Sequence, residues 1–211
     1  MADTLQQMME HKLVAVIRGA EGEDVLSIAR ALHEGGVYML EITADTPEVD
    51  GLIKKVKDEF GYQMIVGAGT VLDPETARAA IMAGADFIFS PTVNSETIRL
   101  TKRYGVVSIP GALTPTEILT AYEQGADLIK VFPAGTVGPS YMKDIHGPLP
   151  HIPLMPTGGV DLSNVREYFE KGAVAAGLGS ALVNTKQPIN AGTLKGITDR
   201  AQQFVEAIKD V

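Results

Sequence analysis

Gln124-Gly125-Ala126-Asp127-Leu128-Ile129-Lys130-Val131-Phe132-Pro133-Ala134 holds a helix stop, a strand and a chemical anomaly in one stretch. A glycine followed by a small residue ends a helix. The apolar run after it, closed by a proline, reads as a strand buried on both faces in a parallel sheet or barrel. Lys130 sits in the middle of that run. Lysine is almost never fully buried without a partner. Burial disfavours the ammonium form and leaves an amine able to attack a carbonyl. The alternative is a lysine whose tip reaches solvent or pairs with a carboxylate.

The same punctuation recurs along the chain. Glu34-Gly35-Gly36, Ala83-Gly84-Ala85 and Lys171-Gly172-Ala173 stand before the apolar runs Tyr38–Thr43, Phe87–Pro91 and Val174–Leu182. Gly61 and Gly105 announce Met64–Val71 and Val106–Pro110, while Leu13–Gly19 and Pro153–Val160 bring the strand count to eight. Val25, Ile28, Ala29 and Leu32, and later Leu194, Ile197, Ala201, Phe204 and Ile208, recur at helical spacing between or after them. Thr46-Pro47-Glu48, Asp73-Pro74-Glu75 and the capping-box phrase Thr114-Pro115-Thr116-Glu117 read as helix starts, with Ser163 as a further cap. Thr4–Lys12 reads as a short amphipathic helix across one end. From Gly19 to Gly179 the repeat advances about 23 residues per unit. Eight such units predict an α/β fold, a (β/α)8 TIM barrel with a short N-terminal helix, as a single domain over residues 1–211. An open doubly wound sheet is the alternative.

Composition narrows the function classes. Hydrophobic residues make up 45% of the 211, but aromatics only 6%, so the core is aliphatic and Ala/Gly-rich. With no cysteine, disulfides and thiolate metal sites are excluded. His11, His33, His146 and His151 lack ligand spacing, so no metal is expected. The net charge of −8 speaks against nucleic acid or an anionic membrane as partner. An anionic substrate then has to be held by local donors. The N-terminus lacks a basic region followed by an apolar run, which reads as a cytoplasmic enzyme without a signal peptide.

In a barrel the site lies at the C-terminal strand ends. Alternation puts Val14, Val16 and Arg18 on one face, as it does Met39, Glu41 and Thr43, and Leu128, Lys130 and Phe132. With those faces inward, Arg18, Glu41, Thr70 and Lys130 converge in the mouth. Glu41 repeats the anomaly of Lys130, an ionisable group inside an apolar strand. The two either form an ion pair that merely neutralises two inward charges, or supply an amine nucleophile beside a proton shuttle. Gly158-Gly159 and Gly177-Leu178-Gly179-Ser180 follow the last two strands, where backbone N–H groups commonly hold phosphate. Otherwise those glycines only turn tightly.

Val14-Ala15-Val16-Ile17-Arg18, Glu41-Ile42-Thr43, Gly67-Ala68-Gly69-Thr70-Val71-Leu72, Ser90-Pro91, Ile109-Pro110-Gly111, Lys130-Val131-Phe132-Pro133-Ala134, Pro156-Thr157-Gly158-Gly159-Val160 and Gly179-Ser180 resemble, in order, the 2-keto-3-deoxy-6-phosphogluconate aldolase / 4-hydroxy-2-oxoglutarate aldolase family. The resemblance covers essentially the whole chain. It implies a class I aldolase that cleaves a phosphorylated or dicarboxylic keto acid to pyruvate and an aldehyde, as a homotrimer without metal or organic cofactor. Carried over by position, Lys130 is the Schiff-base lysine and Glu41 the acid/base. Thr70 helps hold the pyruvate carboxylate, Arg18, Pro91 and Phe132 contact substrate, and Gly158, Gly159, Gly179 and Ser180 bind the distal phosphate or carboxylate. Many members carry an arginine four residues after the glutamate, where this chain has Asp45. An aspartate repels the carboxylate that an arginine would bind. Arg18 then takes over that contact, or Asp45 serves the start of the next helix, or the substrate differs. A sugar-phosphate isomerase or epimerase, with Glu41 as base and Lys130 as clamp, is the rival chemistry. A non-catalytic barrel holding a phosphorylated ligand is the third class.

Overall fold

The computed structural model describes residues 4–20 and 22–211. Residues 1–3, part of the N-terminal stretch read as leaderless, lie outside them. Each apolar run forms a strand, and each strand is shorter than its run. In chain order the elements are α1 (Thr4–His11), β1 (Leu13–Ile17), α2 (Gly22–Glu34), β2 (Met39–Thr43), α3 (Val49–Phe60), β3 (Ile65–Gly69), α4 (Pro74–Met82), β4 (Phe87–Phe89) and α5 (Ser95–Arg103). There follow β5 (Val107–Ile109), β6 (Gly111–Ala112), α6 (Pro115–Glu123), β7 (Ile129–Val131), α7 (Ser140–His146), β8 (Leu154–Pro156), α8 (Val165–Glu170), β9 (Ala176–Leu178) and α9 (Ala191–Ala207).

Every strand pairing is parallel, so this is an α/β fold built on a curled parallel sheet. Six strands run in the order β5-β4-β3-β2-β1-β9, and three in the order β6-β7-β8. The expected strand Val106–Pro110 accounts for the division. Proline has no N–H to give the ladder, and the chain passes from β5 in the larger sheet to β6 in the smaller across Pro110. Contacts also link the sheets elsewhere: Thr157 bridges Gly177, and Asp127 N–H donates to Ser108 C=O at 3.0 Å.

One helix goes beyond the sequence reading, and two expected caps need correction. Helix α7, behind Gly138-Pro139, is too short for apolar periodicity to announce it. Thr46 does not cap α3, which begins behind Glu48 in a left-handed conformation; the Thr46 hydroxyl instead meets Thr43 Oγ1 and Gly19 N–H, each at 3.3 Å. Ser163 does not cap α8, because Asp161 Oδ1 accepts from both its N–H and its hydroxyl. The other two signals hold: Asp73 accepts from Thr76 N–H, and Thr114 forms a reciprocal capping box with Glu117.

Two apolar clusters divide the interior. The larger lies between sheet and helices. The smaller takes Val14, Met39, Ile65, Phe87, Phe89, Val107, Ile109 and Met155 from β1–β5 and β8, and Leu128 and Ala175 from just before β7 and β9, with Met8 of α1 packed among them. Small residues on β3 make room for large ones on β4: a Cβ on Gly67 would lie 2.3 Å from the Phe87 ring.

The Gly-Ala-Asp phrase also repeats a device. Asp86, just before β4, pairs with Lys57 of α3 at 2.7 Å and accepts from Val66 N–H of β3 at 2.9 Å. Asp127, just before β7, pairs with Lys102 of α5 at 2.7 Å and accepts from Ser108 N–H of β5 at 2.8 Å. Each carboxylate ties the start of one strand to an earlier strand through a charge-assisted hydrogen bond, the stronger kind.

Candidate active site

Strand β7 carries Lys130 between Gly111 of β6 and Met155 of β8. The residue is 6% exposed. Its Nζ lies 5.0 Å from the centre of the Phe89 ring and 5.1 Å from that of Phe132. Among the described residues no carboxylate stands within 4.0 Å of it, so the neutralising ion pair with Glu41 does not form.

Glu41 occupies the middle of β2, opposite Val16 of β1 and Gly67 of β3, and is 1% exposed. Its space is made by a glycine two residues further along β3. A Cβ on Gly69 would stand 1.4 Å from Glu41 Oε1. Among the described residues Oε2 has no hydrogen-bond partner. Burial therefore pushes the Glu41 carboxyl above the usual carboxylate range; the charges of Lys130 and Arg18 oppose that rise and Asp45 adds to it.

Arg18 leaves the end of β1 half-exposed. Its Nη1 donates to Asp45 Oδ2 at 2.8 Å and its Nη2 to Thr70 Oγ1 at 2.9 Å. Thr70, directly after β3, has φ 56°. A β-branched residue in that region is strained, and such strain collects at ligand clamps and active sites. On the opposite wall Gly158 and Gly159 follow β8 with φ of 81° and 83°. Gly135 N–H donates to Gly158 C=O at 2.7 Å, and a Cβ on Gly159 would be 2.8 Å from the Gly135 Cα. That close approach brings the loop after β7 against the loop after β8. Gly179 and Ser180 follow β9, with Gly179 C=O accepting from Leu182 and Val183 N–H.

One cavity of about 550 Å³ collects these groups. Arg18, Glu41, Thr70, Pro91, Lys130, Phe132, Gly158, Gly159, Gly179 and Ser180 all line it. Sequence reasoning singled out every one of them. It passed over Val16, Thr157, Val160, Asp161 and Ala181. Thr157 was the one to find: it lies two residues beyond Met155, on the same strand face, and its buried hydroxyl has no partner among the described residues. Asp161 is engaged with Ser163, whose hydroxyl holds its carboxyl below the usual range. Asp45, for its part, does not serve the start of α3; it bonds Arg18.

Residues 5–199 match the model of the aldolase family described as KDPG and KHG aldolase. The chain belongs to that family. It is 33% identical over 207 residues to the 2-dehydro-3-deoxy-6-phosphogalactonate aldolase of Escherichia coli K12, covering 98% of both chains. It is 39% identical over 161 residues to the 2-dehydro-3-deoxy-phosphogluconate aldolase of Pseudomonas aeruginosa, covering 76% of this chain and 73% of the relative. Among solved structures, the KDPG aldolase of Legionella pneumophila, with pyruvate captured as a covalent carbinolamine, superposes with a TM-score of 0.82 at 30% identity over 90% of this chain and 92% of that one. This KDPG/KHG aldolase family member is thus a lyase of the Schiff-base aldolase type. The isomerase or epimerase alternative finds no support in that family.

Proposed function

We propose that the cavity cleaves a 2-keto-3-deoxy-6-phospho-sugar acid, or 4-hydroxy-2-oxoglutarate, through an imine on Lys130. The observation that carries this reading is the unpaired Lys130 amine between two aromatic rings, sharing a cavity with a carboxyl whose burial favours its protonated form. The Lys130 nitrogen adds to the C2 ketone and gives a carbinolamine. Glu41 donates its proton to the departing hydroxyl, and loss of water leaves the iminium. The Glu41 carboxylate then takes the C4 hydroxyl proton, the C3–C4 bond breaks, and its electrons pass to the iminium nitrogen. An aldehyde departs; protonation of the enamine at C3 and hydrolysis return pyruvate and the free amine. Each transfer needs a proton donor or acceptor within reach, the part a buried carboxyl can play twice.

Arg18 and Thr70 hold the keto acid's carboxylate at one end. Gly158, Gly159, Gly179 and Ser180 take the phosphate or second carboxylate at the other, with Pro91 and Phe132 as apolar walls. The names of the two curated relatives support a six-carbon phosphorylated keto acid as the substrate class. No metal or organic cofactor takes part in this scheme.

We read the two sheets as one (β/α)8 barrel acting as a single domain. The Thr157–Gly177 bridge, the continuity across Pro110 and the cluster drawn from strands of both sheets support that closure. No helix of the described residues is long and apolar enough to cross a membrane. The small-molecule substrate and acidic chain fit a cytoplasmic enzyme of carbohydrate metabolism, without nucleic acid or membrane as partner. A homotrimer is its proposed assembly, and a design that fused symmetric oligomeric domains has a chain 33% identical over 94% of this one.

Borohydride reduction in the presence of pyruvate, followed by peptide mass mapping, tests the imine. The expected product is a pyruvate-derived adduct on Lys130, absent from Lys130→Ala together with aldol turnover. An adduct on another lysine alone, or near-wild-type cleavage by Lys130→Ala, would overturn the assignment.

A further inference from the structure

Asp45 is a half-exposed carboxylate in the loop between β2 and α3, four residues after Glu41. It serves neither the helix that follows nor the core. Its Oδ2 instead accepts from Arg18 Nη1 at 2.8 Å, while Arg18 Nη2 reaches Thr70 at 2.9 Å. The guanidinium is therefore held at both ends, by the loop after β2 and the residue after β3. The nearby Thr43 hydroxyl holds the Asp45 carboxyl below the usual carboxylate range, with Arg18 adding to the effect. Asp45 is therefore ionised near neutral pH.

We propose that Asp45 is a positioning residue of the aldol site, fixing the Arg18 guanidinium beside Thr70 and offsetting part of its charge where it faces Glu41. The proposal rests on the Schiff-base reading given above. Its first consequence is entropic. An arginine loses much rotamer freedom when immobilised. With two anchors in place that loss is taken on folding rather than on substrate binding. The second consequence is electrostatic. Lys130 from β7 and Arg18 from the end of β1 both draw Glu41 toward its ionised form, and Asp45 is the charge that opposes them. Without it, Glu41 gives up its proton at lower pH and is a poorer donor to the departing hydroxyl near neutrality.

The test uses the full chain and pyruvate as probe, so that it does not depend on which aldehyde the enzyme releases. The rate of borohydride-trapped adduct on Lys130 is followed against pH and pyruvate concentration. The Glu41 limb of the pH profile is the one that disappears in Glu41→Gln. Asp45→Asn keeps an acceptor for Arg18 but removes the charge, and is expected to move that limb down by roughly half a pH unit, the size of one charge acting through a half-exposed group. Asp45→Ala also removes the anchor, and should raise the pyruvate concentration for half-saturation several-fold. That rise should vanish in an Arg18→Ala background. A limb unmoved by Asp45→Asn overturns the electrostatic role, and a rise of the same size without Arg18 overturns the positioning role. No adduct in the wild type overturns the imine reading and this proposal with it. A wild-type adduct whose pH profile and half-saturation ignore both Asp45 variants overturns this proposal alone.

Discussion

Gly69 is the point where one methyl group should separate folding from catalysis. Its backbone is not in the left-handed region, so alanine is conformationally acceptable there. The obstacle is Glu41: a Cβ on residue 69 would stand 1.4 Å from Oε1, 2.1 Å from Cδ and 2.5 Å from Cγ, where ordinary contact begins near 3.4 Å. The carboxyl must therefore retreat by about 2 Å, or the strands must part. Overpacking of this kind costs about 1–3 kcal/mol, and a catalytic group displaced by roughly 1 Å can lose on the order of 100-fold in rate. Gly69→Ala is expected to lower kcat by about 100-fold or more while leaving a folded protein. Two assays check it: pyruvate release from 2-keto-3-deoxy-6-phosphogluconate, and urea unfolding of Gly69→Ala, Glu41→Ala and the double variant. Because the clash is with Glu41 itself, the alanine at 69 should fit the space that Glu41→Ala vacates. The coupling between the two sites should then be roughly 1–3 kcal/mol. Wild-type kcat in Gly69→Ala, or a stability cost undiminished in the double variant, would refute the steric argument.

Glu41 also makes stability depend on pH. Its carboxyl lies above the usual range because it is buried, so the folded state holds this proton more tightly than the unfolded chain does. The stability it contributes is full below the ordinary glutamate value of about 4.3 and is lost as pH rises through the raised folded value. Unfolding free energies of wild type and Glu41→Gln, compared from pH 4 to pH 8, should diverge in favour of the glutamine variant as pH rises; parallel curves would contradict the shift. Asp127→Ala removes the acceptor of Ser108 N–H and the partner of Lys102. A loss of about 1–3 kcal/mol on urea unfolding is expected with the pyruvate adduct still forming, whereas a cost near zero would mean that water replaces the carboxylate.

The strand order around the site was legible because glycine stops and apolar runs alternate at nearly constant intervals, a pattern local chemistry writes directly into the chain. Lys130 and Glu41 stood out for the same reason: a charge inside an apolar strand is anomalous wherever the strand ends up. Boundaries were less legible. The expected strand ending at Pro110 is followed directly by an unexpected short one, Gly111–Ala112, in the other sheet, and Thr46 and Ser163 have the chemistry of helix caps but spend their hydroxyls elsewhere. Capping residues are chosen by propensity, yet which group accepts each hydrogen bond depends on loops distant in sequence.

The sequence by itself thus determined the α/β alternation and part of the cavity lining: short-range periodicity and side-chain chemistry marked Arg18, Glu41, Thr70, Lys130 and the two glycine loops, and the family resemblance added Pro91 and Phe132. Only the tertiary structure decided what those residues do to one another. It kept Lys130 apart from Glu41, gave Arg18 to Asp45 and Thr70, and used the absence of a side chain at Gly69 to seat a carboxyl. Such relations depend on distances of a few ångströms between segments tens of residues apart, and a linear pattern carries no record of them.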